Sequence, residues 1–141
     1  MTDLGKTAVS LAAVMGAGAA HAGEPAPVSF ESHGETLQGA LYLPDDYEGR
    51  SAVNAVVVTG AWTSVKEQMP AVYAQALAAR GYAALTFDFR GWGESQGEPR
   101  QLEDPRRKTE DIVAAARHLA SLPQVNEVGG LGICASAGYM V

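Results

Sequence analysis

Gly132-Ile133-Cys134-Ala135-Ser136-Ala137-Gly138 follows directly on the apolar run of residues 128–131. A short buried strand that breaks into small-x-nucleophile-x-small is a strand-to-helix turn. Such a turn lifts one side chain out at a strained backbone position. Small neighbours are needed because the flanking backbones pack tightly there.

Two registers fit the stretch. Gly132-x-Cys134-x-Ser136 makes Cys134 the nucleophile, and Cys134-x-Ser136-x-Gly138 makes it Ser136. Counting from the strand favours Cys134, because Val128-Gly129-Gly130-Leu131-Gly132 leaves it where the turn begins. A thiol is also the better nucleophile at neutral pH once a histidine lowers its pKa. Cys134 is the single cysteine, so the chain can form neither an internal disulfide nor a cysteine zinc cluster. The bland alternative is a small buried hydrophobe.

The chain leading to this turn is punctuated for alternating elements. Residues 28–32 and 36–43 read as a hairpin around His33-Gly34-Glu35, with Leu37, Gly39, Leu41 and Leu43 on one face. Ala55-Val56-Val57-Val58 marks a strand over 52–59 that is covered on both faces. The pattern predicts a helix over 70–80, with Val72, Tyr73, Ala76 and Leu77 inward and Gly81 as its stop. A buried strand over 82–89 follows. Asp104-Pro105 then opens a helix reaching about Ser121, with Ile112, Val113, Ala116 and Leu119 inward. The last strand is 128–133. This order implies an α/β fold, a mostly parallel sheet with an antiparallel N-terminal hairpin and helices on both faces.

Three patches follow strands: Thr59-Gly60-Ala61-Trp62, the segment from Asp88 to Ser95, and the Cys134 turn. Ligands of α/β sheets collect outside the carboxyl ends of the strands, where all three lie. Together the patches carry a resemblance. Val58-Thr59-Gly60-Ala61-Trp62, Val65-Lys66-Glu67-Gln68-Met69, Asp88-Phe89-Arg90-Gly91-x-Gly93-x-Ser95 and the Cys134 turn resemble the α/β-hydrolase superfamily. Within it they are similar to bacterial dienelactone-hydrolase-like hydrolases, which also carry cysteine at this point. The resemblance covers residues 56–140.

It implies hydrolysis of an ester, thioester or lactone by nucleophilic acyl transfer from Cys134, with Ser136 as the alternative nucleophile. The oxyanion would be held by the backbone N–H of Ala135 and that of Ala61, with Trp62 the alternative to Ala61. Trp62 would either line the substrate pocket or form a lid over the core. The family's acid and histidine follow the nucleophile, so a sequence ending at Val141 is expected to be the N-terminal half of the domain, residues 23–141, truncated after the turn and inactive alone. Leu131 and Ile133 would then lie on an exposed edge. Two further readings stay open: a non-catalytic half-domain needing another chain, and a peptidase-type hydrolase.

The remaining polar residues read as structural. Asp88, Arg90 and Ser95 serve the turn after the fourth strand, and Ser64-x-x-Glu67 fits a capping box in which Lys66 and Glu67 are structural. His21, His33 and His118 all precede the nucleophile, and none is placed as its base. No metal-ligand spacing and no phosphate loop occur, so no cofactor and no metal is expected, and the partner is a small-molecule ester or lactone. The net charge of −6 without a basic stripe argues against nucleic acid. Lys6, the apolar run 8–19 and Ala20-His21-Ala22 fit a secretory signal over residues 1–22, too short for a membrane span. The expected location is periplasmic or secreted, with a cytoplasmic Ala-rich helix as the alternative.

Overall fold

Antiparallel pairing opens the described chain. The computed structural model describes residues 24–141, and the expected signal over 1–22 lies outside them. Strand β1 (Ala26–Ser32) pairs with β2 (Glu35–Tyr42) across His33 and Gly34. Both turn residues have positive φ, 50° and 80°, the conformation whose twist matches that of paired strands. Along β2, Leu37, Gly39 and Leu41 are buried, as the alternation predicts.

The chain continues through β3 (Val53–Thr59), α1 (Met69–Ala78), β4 (Ala83–Phe87), α2 (Pro105–Ser121) and β5 (Val125–Gly132). A short 3-10 helix, Cys134–Tyr139, follows. The sheet order is β1-β2-β4-β3-β5; β3 runs parallel to β4 and β5, and β2 runs antiparallel to β4. Every residue of β4 is buried, because both faces of the sheet are covered. On one face Leu85, Phe87 and Val57 pack with Ile112, Ala115 and Leu119 of α2. On the other, Ala84 and Val58 pack with Ala71, Ala74 and Ala78 of α1.

The inward faces of both helices differ from expectation. Helix α1 buries Pro70, Ala71, Ala74 and Ala78; Val72 is 66% exposed, Tyr73 44%, Ala76 is also exposed and Leu77 is half-buried. This helix is apolar nearly all round, so periodicity leaves several candidate stripes. The alanine stripe wins because small side chains let the helix axis approach the sheet closely. In α2, Ile112 and Leu119 face inward as expected and Ala116 is half-buried against the core, but Val113 is exposed and Ala115 takes the central position. Asp104 caps α2 by accepting from the N–H groups of Arg106 (3.0 Å) and Arg107 (3.2 Å).

The edge is also better covered than expected. Leu131 and Ile133 are half-buried against the α1-side cluster, while Asn126, Glu127, Gly129 and Gly130 are the exposed residues of β5. Among the described residues, β5 pairs only with β3.

Candidate active site

At the end of β5 the backbone turns sharply. Cys134 is exposed and adopts φ 60°, a left-handed conformation that costs a residue with a Cβ of order 1 kcal/mol or more. Gly132 makes the turn possible. A Cβ there would stand 2.5 Å from the Ser136 carbonyl oxygen and 2.7 Å from Ala137 Cα. Ser136 is turned the other way and is 1% exposed. Its hydroxyl accepts from the Ile133 N–H (2.9 Å), and its one proton is shared between the carbonyls of Thr59 (3.0 Å) and Ile133 (3.1 Å). Of the two nucleophile candidates, the turn therefore presents Cys134 to solvent and engages Ser136 in holding the backbone.

The carbonyl of Thr59 joins this turn to β3. It also accepts from the Ile133 N–H (3.1 Å), and Thr59 is the pairing partner of Gly132. Gly60, Ala61 and Trp62 thus start beside the Cys134 turn. Gly60 is wedged: a Cβ would collide with Ser64 Oγ and stand 2.7 Å from Pro70 Cγ. The Ala61 carbonyl accepts from the Ser64 N–H (3.1 Å) and hydroxyl (2.7 Å), while the Ala61 N–H has no partner among the described residues. Ala135 lies in the first turn of the 3-10 helix, where N–H groups lack intrahelical acceptors. Trp62 is 62% exposed, so it forms no lid over the described core.

The expected capping box does not form, because its members have other partners. Ser64 bonds Ala61, and the Glu67 carboxylate meets Lys66 Nζ at 2.5 Å. Lys66 is a buried hub, a role that its place in the sequence does not announce. Its ammonium also meets Asp88 (2.9 Å) and Glu94 (2.5 Å). Burial opposes its charge, yet hydrogen bonds from its ammonium to Glu67, Glu94 and Asp88 more than offset this and hold its pKa above the ordinary lysine value. Asp88 is fully buried and accepts from the Lys66 N–H (2.9 Å) and the Glu94 N–H (3.0 Å) as well. Glu67, Asp88 and Glu94 lie close enough together to hold a cation, and the cation among them is the Lys66 ammonium.

The other polar residues after β4 are structural, as expected. Ser95 Oγ donates to the Asp88 carbonyl (2.5 Å) and accepts from the Gln38 N–H (2.9 Å). Arg90 pairs with Asp111 (2.6 Å) and Glu110 (2.7 Å), and Asp111 also accepts from Ser32 Oγ (2.7 Å). Tyr139 ties the 3-10 helix to the segment before α2. Its hydroxyl donates to Glu103 (2.7 Å), a bond that, with burial, pushes its pKa up to about 12.

Neither described histidine stands beside Cys134. His118 is half-buried in α2 and stacks on Phe30 (centroids 5.2 Å apart), where burial lowers its pKa. His33 lies in the hairpin turn, 3.6 Å from Glu110. These two residues, with Phe30, Val113 and Arg117, line a groove of about 600 Å³ between β1 and α2 that shares no residue with the Cys134 turn.

No family model matches the chain. It is 40% identical over 106 residues to the protein YcjY of Escherichia coli K12, covering 74% of this chain and 35% of that protein. It is 33% identical over 110 residues to the thiohydrolase AneE of Aspergillus aculeatus, covering 77% of this chain and 33% of the relative. The structure of the α/β hydrolase GrgF from Penicillium sp. superposes with a TM-score of 0.71 at 26% identity, covering 78% of this chain and 37% of GrgF. The chain spans about a third of the length of these curated relatives. The strand order, the turn that follows β5 and these likenesses together place the chain in the α/β-hydrolase superfamily.

Proposed function

We propose that this chain carries the nucleophile and oxyanion site of a hydrolase that cleaves a small-molecule ester, thioester or lactone. One observation carries the reading: Cys134 stands exposed at φ 60° at the end of β5, beside the loop that follows β3. The Cys134 thiolate attacks the carbonyl carbon, and the carbonyl π pair moves onto oxygen. The Ala135 and Ala61 N–H groups hold that oxyanion, with Trp62 N–H as the alternative to Ala61. Collapse of the intermediate breaks the bond to the leaving oxygen or sulfur, which departs as alkoxide or thiolate, takes a proton from solvent and leaves an acyl-cysteine. Water then adds to the acyl carbon, gives a proton to solvent and displaces the Cys134 thiolate, releasing the carboxylic acid. The indole of Trp62, exposed on the loop after β3, would line the substrate pocket. Thioester cleavage gains support from a relative named a thiohydrolase. Ser136 serves the turn rather than the chemistry.

The test is single-turnover acylation by p-nitrophenyl acetate, followed by intact-mass and peptide analysis. The folded chain is expected to take one acetyl group on Cys134, at least about tenfold faster than the same thiol in urea-unfolded chain, the excess coming from preorganised donors. Cys134→Ala abolishes the adduct. Equal rates in folded and unfolded chain, or an acetyl group on Ser136, would overturn the reading.

A further inference from the structure

The loop that presents the Ala61 N–H is secured from a distance of several residues. Ser64 fixes the Ala61 carbonyl through its N–H and its hydroxyl, and Gly60 is wedged against Ser64 and Pro70. Two residues beyond Ser64, the chain is bound twice to one carboxylate. The Lys66 N–H reaches Asp88 Oδ1 at 2.9 Å, and Lys66 Nζ reaches Asp88 Oδ2 at 2.9 Å. Asp88 stands just past the end of β4, fully buried, and its own position is protected by Gly93, where any Cβ would overlap the carboxylate. Burying a carboxylate or an ammonium without a partner is strongly unfavourable, so each of these two groups needs the other to stay inside. Its effect is to tie the loop after β3 to the loop after β4 at the carboxyl edge of the sheet.

We propose that Lys66, through its buried pair with Asp88, is a positioning residue that sets the Ala61 N–H against the oxyanion formed at Cys134. This inference rests on the acyl-transfer reading. Lys66 touches no reacting atom. Its ammonium is occupied by Asp88, Glu67 and Glu94, so it acts by holding the backbone of residues 61–66 in place. Misplacing one hydrogen-bond donor by about 1 Å at a reacting centre costs up to about a hundredfold in rate.

The experiment compares two reactions of the same thiol in the full chain. Acylation by p-nitrophenyl acetate needs an oxyanion donor; alkylation by iodoacetamide does not. Lys66→Met is expected to slow acylation of Cys134 about tenfold to a hundredfold while alkylation stays within about twofold. Amide exchange across residues 60–65 should quicken in parallel. Because Lys66→Met leaves the Asp88 carboxylate buried without its partner, the double variant Lys66→Met/Asp88→Asn is measured alongside it, with folding checked by circular dichroism. A folded double variant that acylates as fast as the parent overturns the proposal, as does a parallel fall in acylation and alkylation. If the parent chain acylates no faster folded than unfolded, the acyl-transfer reading itself fails, and this inference with it.

Discussion

Adding one methyl group at Gly132 should destabilise the chain, and adding it three residues earlier should not. An alanine Cβ at position 132 would lie 2.5 Å from the Ser136 carbonyl oxygen, 2.6 Å from its carbonyl carbon and 2.7 Å from Ala137 Cα. Favourable carbon contacts lie near ~3.5–4.0 Å, so the new atom intrudes by about 1 Å on three backbone atoms at once. Backbone cannot swing aside as a side chain can, and overpacking of this kind costs about 1–3 kcal/mol. At Gly130 the obstacle is Met140 Sδ at 2.7 Å, a flexible side chain that can move. At Gly129 nothing stands within 4 Å, and alanine in a strand is favoured over glycine by roughly 0.5–1 kcal/mol. With a urea m-value of about 1.5 kcal/mol per molar, a loss of about 2 kcal/mol lowers the unfolding midpoint by roughly 1.3 M. The expected midpoints therefore fall in the order Gly129→Ala, Gly130→Ala, Gly132→Ala, highest first. Cys134 acylation should fall in Gly132→Ala alone. Equal midpoints at 129 and 132 would refute the claim that the turn after β5 is held by backbone-to-backbone approach.

Two other outcomes follow from single contacts. Asp104→Ala removes the acceptor of two N–H groups at the start of α2 and should cost about 1 kcal/mol in urea unfolding, whereas Asp104→Ser should recover most of it. Tyr139 should ionise near pH 12 in an ultraviolet phenolate titration, and Glu103→Gln should bring it down towards the ordinary tyrosine value of about 10. The sign follows from the raised folded-state pKa: this contribution to stability is complete below the unfolded phenol value and is lost as pH rises through about 12. A Tyr139 titration unmoved by Glu103→Gln would exclude that carboxylate as the cause.

Local pattern was sufficient for the order of elements and for the turn. The β-branched run of β3, the Asp104-Pro105 start of α2 and the glycine two residues before Cys134 each act on their own neighbourhood, so they can be read without the fold. The left-handed backbone at Cys134 belongs to the same class, since only a tight strand-to-helix turn asks for small residues at that spacing. The choice between Cys134 and Ser136 was different. Both fit the pattern, and what separates their surroundings is the carbonyl of Thr59, 77 residues from Ser136 in sequence, which takes the serine hydroxyl into the interior.

An α/β chain of alternating strands and helices, with a tight glycine-flanked turn after β5, was thus legible in the residues alone, because periodicity, caps and glycine spacing are short-range properties. The stripe of α1 that faces the sheet, the exposure of Val113 and the burial of Lys66 depend instead on contacts between elements far apart in the chain. An apolar helix offers several faces, and the one chosen is the one that allows the closest approach. A charged side chain enters the interior only where distant residues supply its counter-charges, as Asp88 and Glu94 do for Lys66 across 22 and 28 residues of chain.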